Sequence, residues 1–83
     1  MKTDESLLLR AIVLSHEGPY HKKGLDVVSI GVNLKMNHKR LLYICQKWTD
    51  KKWYEYGVSA TLGWLTPEGY EIGRREIERI STL

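Results

Sequence analysis

Eighty-three residues, 42% hydrophobic and 28% charged, describe one folded domain over 1–83 and exclude a disordered chain. One cysteine, Cys45, excludes an internal disulfide, and a small domain without such staples is expected in a reducing cytoplasm. The net charge of +3 is modest, so its distribution along the chain matters more than its size.

The first apolar stretch predicts a helix over 3–17. Thr3 is placed to cap it, and Asp4 and Glu5 fall in the first turn, where the helix dipole favours acids. Neither a cleavable signal peptide nor a membrane span is expected: acids precede the apolar run, and no run approaches the ~20 residues a span needs. Leu7, Leu8, Leu9, Ala11, Ile12, Val13 and Leu14 cover an arc wider than one small core normally requires. Only Arg10 and Glu17 mark a polar stripe. Either the domain wraps this helix or part of the arc meets another surface. Gly18 and Pro19 stop it, and 18–24 reads as an exposed turn carrying Tyr20, His21, Lys22 and Lys23.

A second helix is expected over 25–34, with Leu25, Val27, Val28, Ile30 and Val32 as apolar residues, although their β-branched density also suits a strand. Gly31 lowers helix propensity, and close approach of a neighbouring helix would give it a purpose. A break at 35–37 follows, with Asn37 as a good N-cap for a third helix over 38–51. Leu41, Ile44, Cys45 and Trp48 recur at three- and four-residue spacing and predict its buried side. The opposite side carries Lys39, Tyr43, Gln46 and Asp50, flanked by Arg40 and Lys47.

The charge concentrates here. Residues 1–34 and 53–83 carry net charges of 0 and −2, whereas 35–52 carries +5, with six basic residues against Asp50 alone. Such a segment fits a polyanion contact; the plainer alternative is a solvated lysine-rich face.

Two strands are expected over 53–57 and 61–66, with Tyr54 and Tyr56 on one face of the first, and Leu62 and Trp64 sharing a face of the second. Gly57, Ser59 and Gly63 supply turn or bulge chemistry. Trp48 and Trp64 are expected in the core. Thr66 caps a last helix over 67–81, with Pro67 at its first position and Glu68 beside it. Ile72, Ile77, Ile80, Tyr70 and Leu83 provide its apolar contacts. Glu71–Arg75 and Arg74–Glu78 are spaced to pair, and Gly73 suggests a close helix crossing.

The order of these elements, the GWLTPEG run from Gly63 to Gly69, and WYEYG from Trp53 to Gly57 resemble the winged helix-turn-helix domains of transcription regulators. The resemblance covers roughly 5–83. It implies an α+β fold: a three-helix core, a two- or three-stranded β wing, and a C-terminal helix. In such domains a very short first strand often lies where this chain has residues 18–24. It also implies double-stranded DNA binding with the third helix in the major groove, which is about 12 Å wide. Carried over by position, Asn37, His38, Lys39, Arg40, Tyr43, Gln46 and Lys47 become the base-reading and phosphate-contacting residues. A homodimer is expected, because two half-sites raise specificity. The first and last helices are candidate dimer surfaces. One departure keeps a protein partner through the wing as the alternative: the tip, from Val58 to Thr61, has no Lys or Arg.

No catalytic constellation is legible and no cofactor is expected, so the chain is not read as an enzyme. Cys45 falls on the apolar side of its helix and reads as a structural thiol. His16, His21 and His38 match no common metal-site spacing.

Overall fold

The first element is α1 (Thr3–Ser15), which in this computed structural model packs against α4 and α2 and reaches α3 through Asp4 and Glu5. The structure describes residues 1–15, 25–59 and 62–81. The turn expected over 18–24, and His16, Glu17, Ala60, Thr61 and Leu83, lie outside the described residues. After α1 come β1 (Leu25–Asp26), α2 (Val27–Asn33), α3 (His38–Asp50), β2 (Tyr54–Ser59), β3 (Leu62–Leu65) and α4 (Pro67–Ser81). Among the described residues the fold is α+β, with four helices and one antiparallel sheet in the strand order β1-β3-β2.

Most element bounds match the expectation from sequence to within two residues, and α4 matches it throughout. The second helix differs. Leu25 and Asp26 leave it and pair with Gly63 and Leu62 as β1, which answers the β-branched ambiguity of this stretch with both structures in turn. Thr3 lies inside α1, whose first turn closes on the Lys2 carbonyl through the Ser6 N–H at 2.9 Å.

The ribbon pairs Tyr54 with Leu65, Glu55 with Trp64 and Tyr56 with Gly63. It then shifts register before Ser59 meets Leu62, a bulge that includes Gly57. Its inward face is the opposite of the expected one on β3. Gly63 and Leu65 are buried, Leu62 is exposed, and Trp64 is half-buried with its indole N–H donating to Glu55 at 3.2 Å. Trp64 is therefore not a core residue. Period-two reading separates two faces but does not say which faces inward; pairing with Tyr54 decides it.

The core comprises Leu8, Leu9, Ile12 and Val13 of α1, Val27 of α2, and Leu41, Ile44, Cys45 and Trp48 of α3, closed by Tyr54 and Leu65. Ile72, Ile77 and Tyr70 of α4 pack on its edge. Leu7 and Leu14 stay outside it, Leu14 at 76% exposure, so the domain does not wrap all of α1. Two glycines let helices close. A Cβ on Gly31 would collide with the Leu41 side chain, and one on Gly73 would collide with Val13. These are the α2–α3 and α1–α4 crossings.

Thr66 fastens the far end. Its hydroxyl accepts from Gly69 N–H at 3.1 Å, capping α4, and donates to the Lys52 carbonyl at 2.7 Å. Its own N–H donates to the Trp53 carbonyl at 2.9 Å. The end of α3, the end of β3 and the start of α4 thus meet at one residue. On the outer side of α4, Arg75 pairs with Glu71 at 3.5 Å as expected. Arg79, rather than Arg74, makes the second pair, with Glu76 at 2.9 Å. Glu76 also accepts from Ser6 Oγ at 2.9 Å, which draws it to α1.

Candidate nucleic-acid interface

Asn37 begins α3 as an N-cap. It stands in extended backbone, and its side-chain oxygen accepts from Lys39 N–H at 2.8 Å. That bond occupies the acceptor that would otherwise read a base. Leu41, Ile44, Cys45 and Trp48 are completely buried, as their spacing predicts. Burial pushes the Cys45 thiol up to about 11, so it stays protonated and unreactive at neutral pH.

Of the seven carried-over residues, the structure divides the set. Lys39, Tyr43 and Gln46 lie exposed on the side opposite the core, with His38 exposed at the helix start. Tyr43 is 57% exposed, and Leu42 beside it is partly open. The Arg40 guanidinium stands 5.2 Å from the Tyr43 ring centre, a distance that holds the ring by cation–π attraction.

Arg40 and Lys47 are engaged elsewhere. Arg40 Nε donates to Asp4 Oδ2 at 2.8 Å, and its Nη2 donates to Oδ1 at 3.1 Å, a bidentate pair across α1 and α3. The hydrogen bond from Arg40 holds the Asp4 carboxyl below the usual carboxylate range. Lys47 Nζ lies 3.2 Å from Glu5 Oε2. Glu5 is fully buried, and its other oxygen accepts from the Trp48 indole N–H at 2.8 Å. The first turn of α1 thus holds α3 at two points, one turn and three turns from its start. Asp4 and Glu5 read from sequence as dipole partners of α1. Their role as partners of α3 has no local signal, because it depends on contacts spanning 36 to 43 residues.

Several positive charges without an acid partner among the described residues sit around α3. Lys35 in the turn before it, Lys39 on its outer side and Lys52 just after it are exposed, and none forms an ion pair among the described residues. Lys51 lies with its ammonium 4.7 Å from the Trp53 ring centre. Sequence reasoning assigned Lys35, Lys51 and Lys52 to the charge excess but to no site. The face that results has an apolar back locked into the core, a flat exposed array of Lys39, Tyr43 and Gln46, and cations at both ends. Such a surface suits a polyanionic ligand with polar edges between its charges.

Between the end of α3 and β2 lies an open groove of about 400 Å³ lined by Thr49, Lys52, Tyr54, Glu55 and Tyr56. A second groove, between α1 and α4, is lined by Val13, Leu14, Tyr70, Arg74, Ile77 and Glu78. Among the described residues, no three His, Cys, Asp or Glu side chains are arranged to hold a metal ion. Nor is any helix among them long and apolar enough to cross a membrane. Comparison of the chain with family models, curated proteins and solved structures returns no match.

Proposed function

We propose that the chain is a winged helix-turn-helix domain that binds duplex DNA through α3, as a transcriptional regulator acting as a homodimer. The observation that carries this reading is the exposed outer face of α3. Lys39, Tyr43 and Gln46 stand opposite a fully buried apolar side, inside the one segment of the chain with a net charge of +5. A helix so anchored presents donors of fixed position to a major groove. The element order α1-β1-α2-α3-β2-β3-α4 supports the fold part of the proposal.

The division of the basic residues refines the expected contacts. Lys39, Tyr43 and Gln46 are assigned to direct contact with His38. Arg40 orients Tyr43, and Asp4 and Glu5 fix the angle of the helix. Asn37 contributes its backbone rather than its amide. For the homodimer, the supporting feature is the groove beside Leu14. The α4 ion pair expected between Arg74 and Glu78 is not formed, so both charges remain open at that groove.

Lys39→Ala tests the reading. Duplex affinity, measured by fluorescence anisotropy over a range of salt, is expected to fall, and the slope of log affinity on log salt to flatten by about one unit. Unchanged affinity and slope refute the assignment of this face.

A second reading has its own observation. Tyr56 is 45% and Leu62 53% exposed on the ribbon, which suits a protein partner in a transcription or replication complex. It predicts no duplex binding at physiological salt, and loss of partner capture by Leu62→Asp with α3 intact.

A further inference from the structure

The helices α2 and α3 terminate in the same way. At the end of α2, Met36 N–H donates to the Gly31 carbonyl at 2.9 Å, and Lys35 N–H to the Val32 carbonyl at 2.9 Å. At the end of α3, Trp53 N–H donates to the Trp48 carbonyl at 2.9 Å, and Lys52 N–H to the Thr49 carbonyl at 3.1 Å. Each pair of bonds is the Schellman closure, in which the residue after the cap turns left-handed. Glycine usually occupies that place, because a Cβ there crowds the neighbouring carbonyl. Here it is lysine both times. Lys35 has φ 61 and Lys52 φ 67, and among the described residues they are the non-glycine residues of positive φ.

Lysine has no local compensation at such a place. Asn and Asp soften the left-handed conformation with short polar side chains, and lysine does not. A cation near a helix C-terminus does gain from the dipole. For α3, Lys47 and Lys51 already supply that gain from ordinary backbone, so it does not explain Lys52. Both lysines are exposed, and neither forms an ion pair among the described residues. Lys52 lines the groove beside Tyr56 and Thr49. Glu55 lines it too, with its carboxylate accepting from the Trp64 indole.

Their placement points to a use. One stands in the turn before α3 and the other in the turn after it. The 13 residues of α3, at 1.5 Å each, make it about 20 Å long. That exceeds the width of a major groove, about 12 Å, so with α3 seated in the groove its two ends lie near the phosphates that border it.

We propose that Lys35 and Lys52 are phosphate contacts bracketing α3, each held in place by a left-handed backbone that a glycine would occupy with less strain. This rests on the duplex-binding reading and adds to it two residues outside α3 itself. The paired backbone bonds root each lysine in a closed helix cap. The Cα of each lysine is thereby fixed beside one end of α3, and the four-carbon stem carries the ammonium out from there. Retaining lysine there costs the fold and serves the contact, which is the usual sign of strain kept at a functional place.

The test compares the full chain with Lys35→Gly, Lys52→Gly, the double variant, and the charge-preserving Lys35→Arg and Lys52→Arg. Each is read by thermal melting and by anisotropy with a labelled mixed-sequence duplex across salt. Each glycine variant is expected to melt at or above the parent temperature and yet bind more weakly. One lost phosphate contact lowers the salt slope by about 0.9 and the affinity roughly 8-fold at about 0.1 M salt, and the double variant loses about twice the slope. The arginine variants are expected to keep both affinity and slope. If the parent binds duplex and Lys39→Ala weakens it, but the glycine variants bind like the parent, this proposal is overturned while the duplex reading stands. A fall in melting temperature for both glycine variants overturns the left-handed part of it. A parent that binds no duplex at any salt overturns the duplex reading, and this proposal with it.

Discussion

Glu5 ties α1 to α3 through Lys47 and Trp48, and two substitutions separate its hydrogen bond from its charge. Glu5→Ala leaves the buried Trp48 indole N–H, now bonded at 2.8 Å, with no acceptor. An orphaned buried donor costs about 1–3 kcal/mol. The space vacated in a completely buried site adds about 1–2 kcal/mol. Lys47 loses its partner too, but its side chain is 32% exposed and rehydrates, so that loss is small. The total is about 3 kcal/mol, a large share of the stability of a chain this short, which at ~0.05–0.15 kcal/mol per residue is roughly 4–12 kcal/mol. Glu5→Gln keeps the shape and an acceptor oxygen for Trp48. It gives up the ion pair but also removes a buried charge, and these offset to within about 1 kcal/mol. Urea unfolding followed by far-ultraviolet dichroism reads the contrast. With a slope near 1 kcal/mol per molar urea, the midpoint should fall by about 3 M for Glu5→Ala and by at most about 1 M for Glu5→Gln. Equal loss in both variants refutes the hydrogen-bond reasoning, and an unshifted Glu5→Ala refutes any structural role for the residue.

Asp4→Asn frees Arg40 from its bidentate partner and removes a negative charge beside α3. Duplex affinity measured by anisotropy should rise about 2- to 8-fold, the upper value being one full added phosphate contact; a fall in affinity contradicts the division of charges drawn above. The Asp4–Arg40 pair also has a pH signature. Because the folded carboxyl titrates low, its stabilisation is present above the ordinary carboxylate range and is lost as pH falls through the lowered value. The difference in urea midpoint between parent and Asp4→Asn should accordingly shrink in acid. Cys45 works in the opposite direction. Its folded pKa, about 11, lies above the ordinary value of 9.0, so its contribution is complete below pH 9 and is lost as pH rises towards 11. Two units correspond to about 2–3 kcal/mol, and Cys45→Ala, though less stable at neutral pH, should narrow its gap to the parent by that order between pH 8 and pH 11 in chemical denaturation.

Much of the fold is legible because its signals are local. Asn37 caps α3, Thr66 and Pro67 open α4, and the spacing of Leu41, Ile44, Cys45 and Trp48 gives the buried side of α3. Gly31 and Gly73 mark helix crossings for the reason that makes them poor helix residues. What is not legible depends on partners distant in sequence. The strand pairing of Leu25 and Asp26 requires Gly63 and Leu62 to be in reach. The inward face of β3 is decided by Tyr54 across the ribbon. The same holds for the candidate site. Lys39, Tyr43 and Gln46 emerge on the open side of α3 as helical periodicity implies. Arg40 and Lys47 carry the same charge in the same segment, yet Asp4 and Glu5 claim them from the start of the chain. Lys35 and Lys52 are conspicuous only once the backbone is known, since a lysine in a turn is unremarkable until its φ is positive.

The proposal stands or falls on whether the outer face of α3 reads duplex DNA. Selection of bound duplexes from a random pool by the full chain tests it most directly. Enrichment of one motif with two-fold symmetry is expected, abolished by Lys39→Ala combined with Gln46→Ala. A pool that remains random after repeated rounds at low salt contradicts it and favours the protein-binding reading of the ribbon.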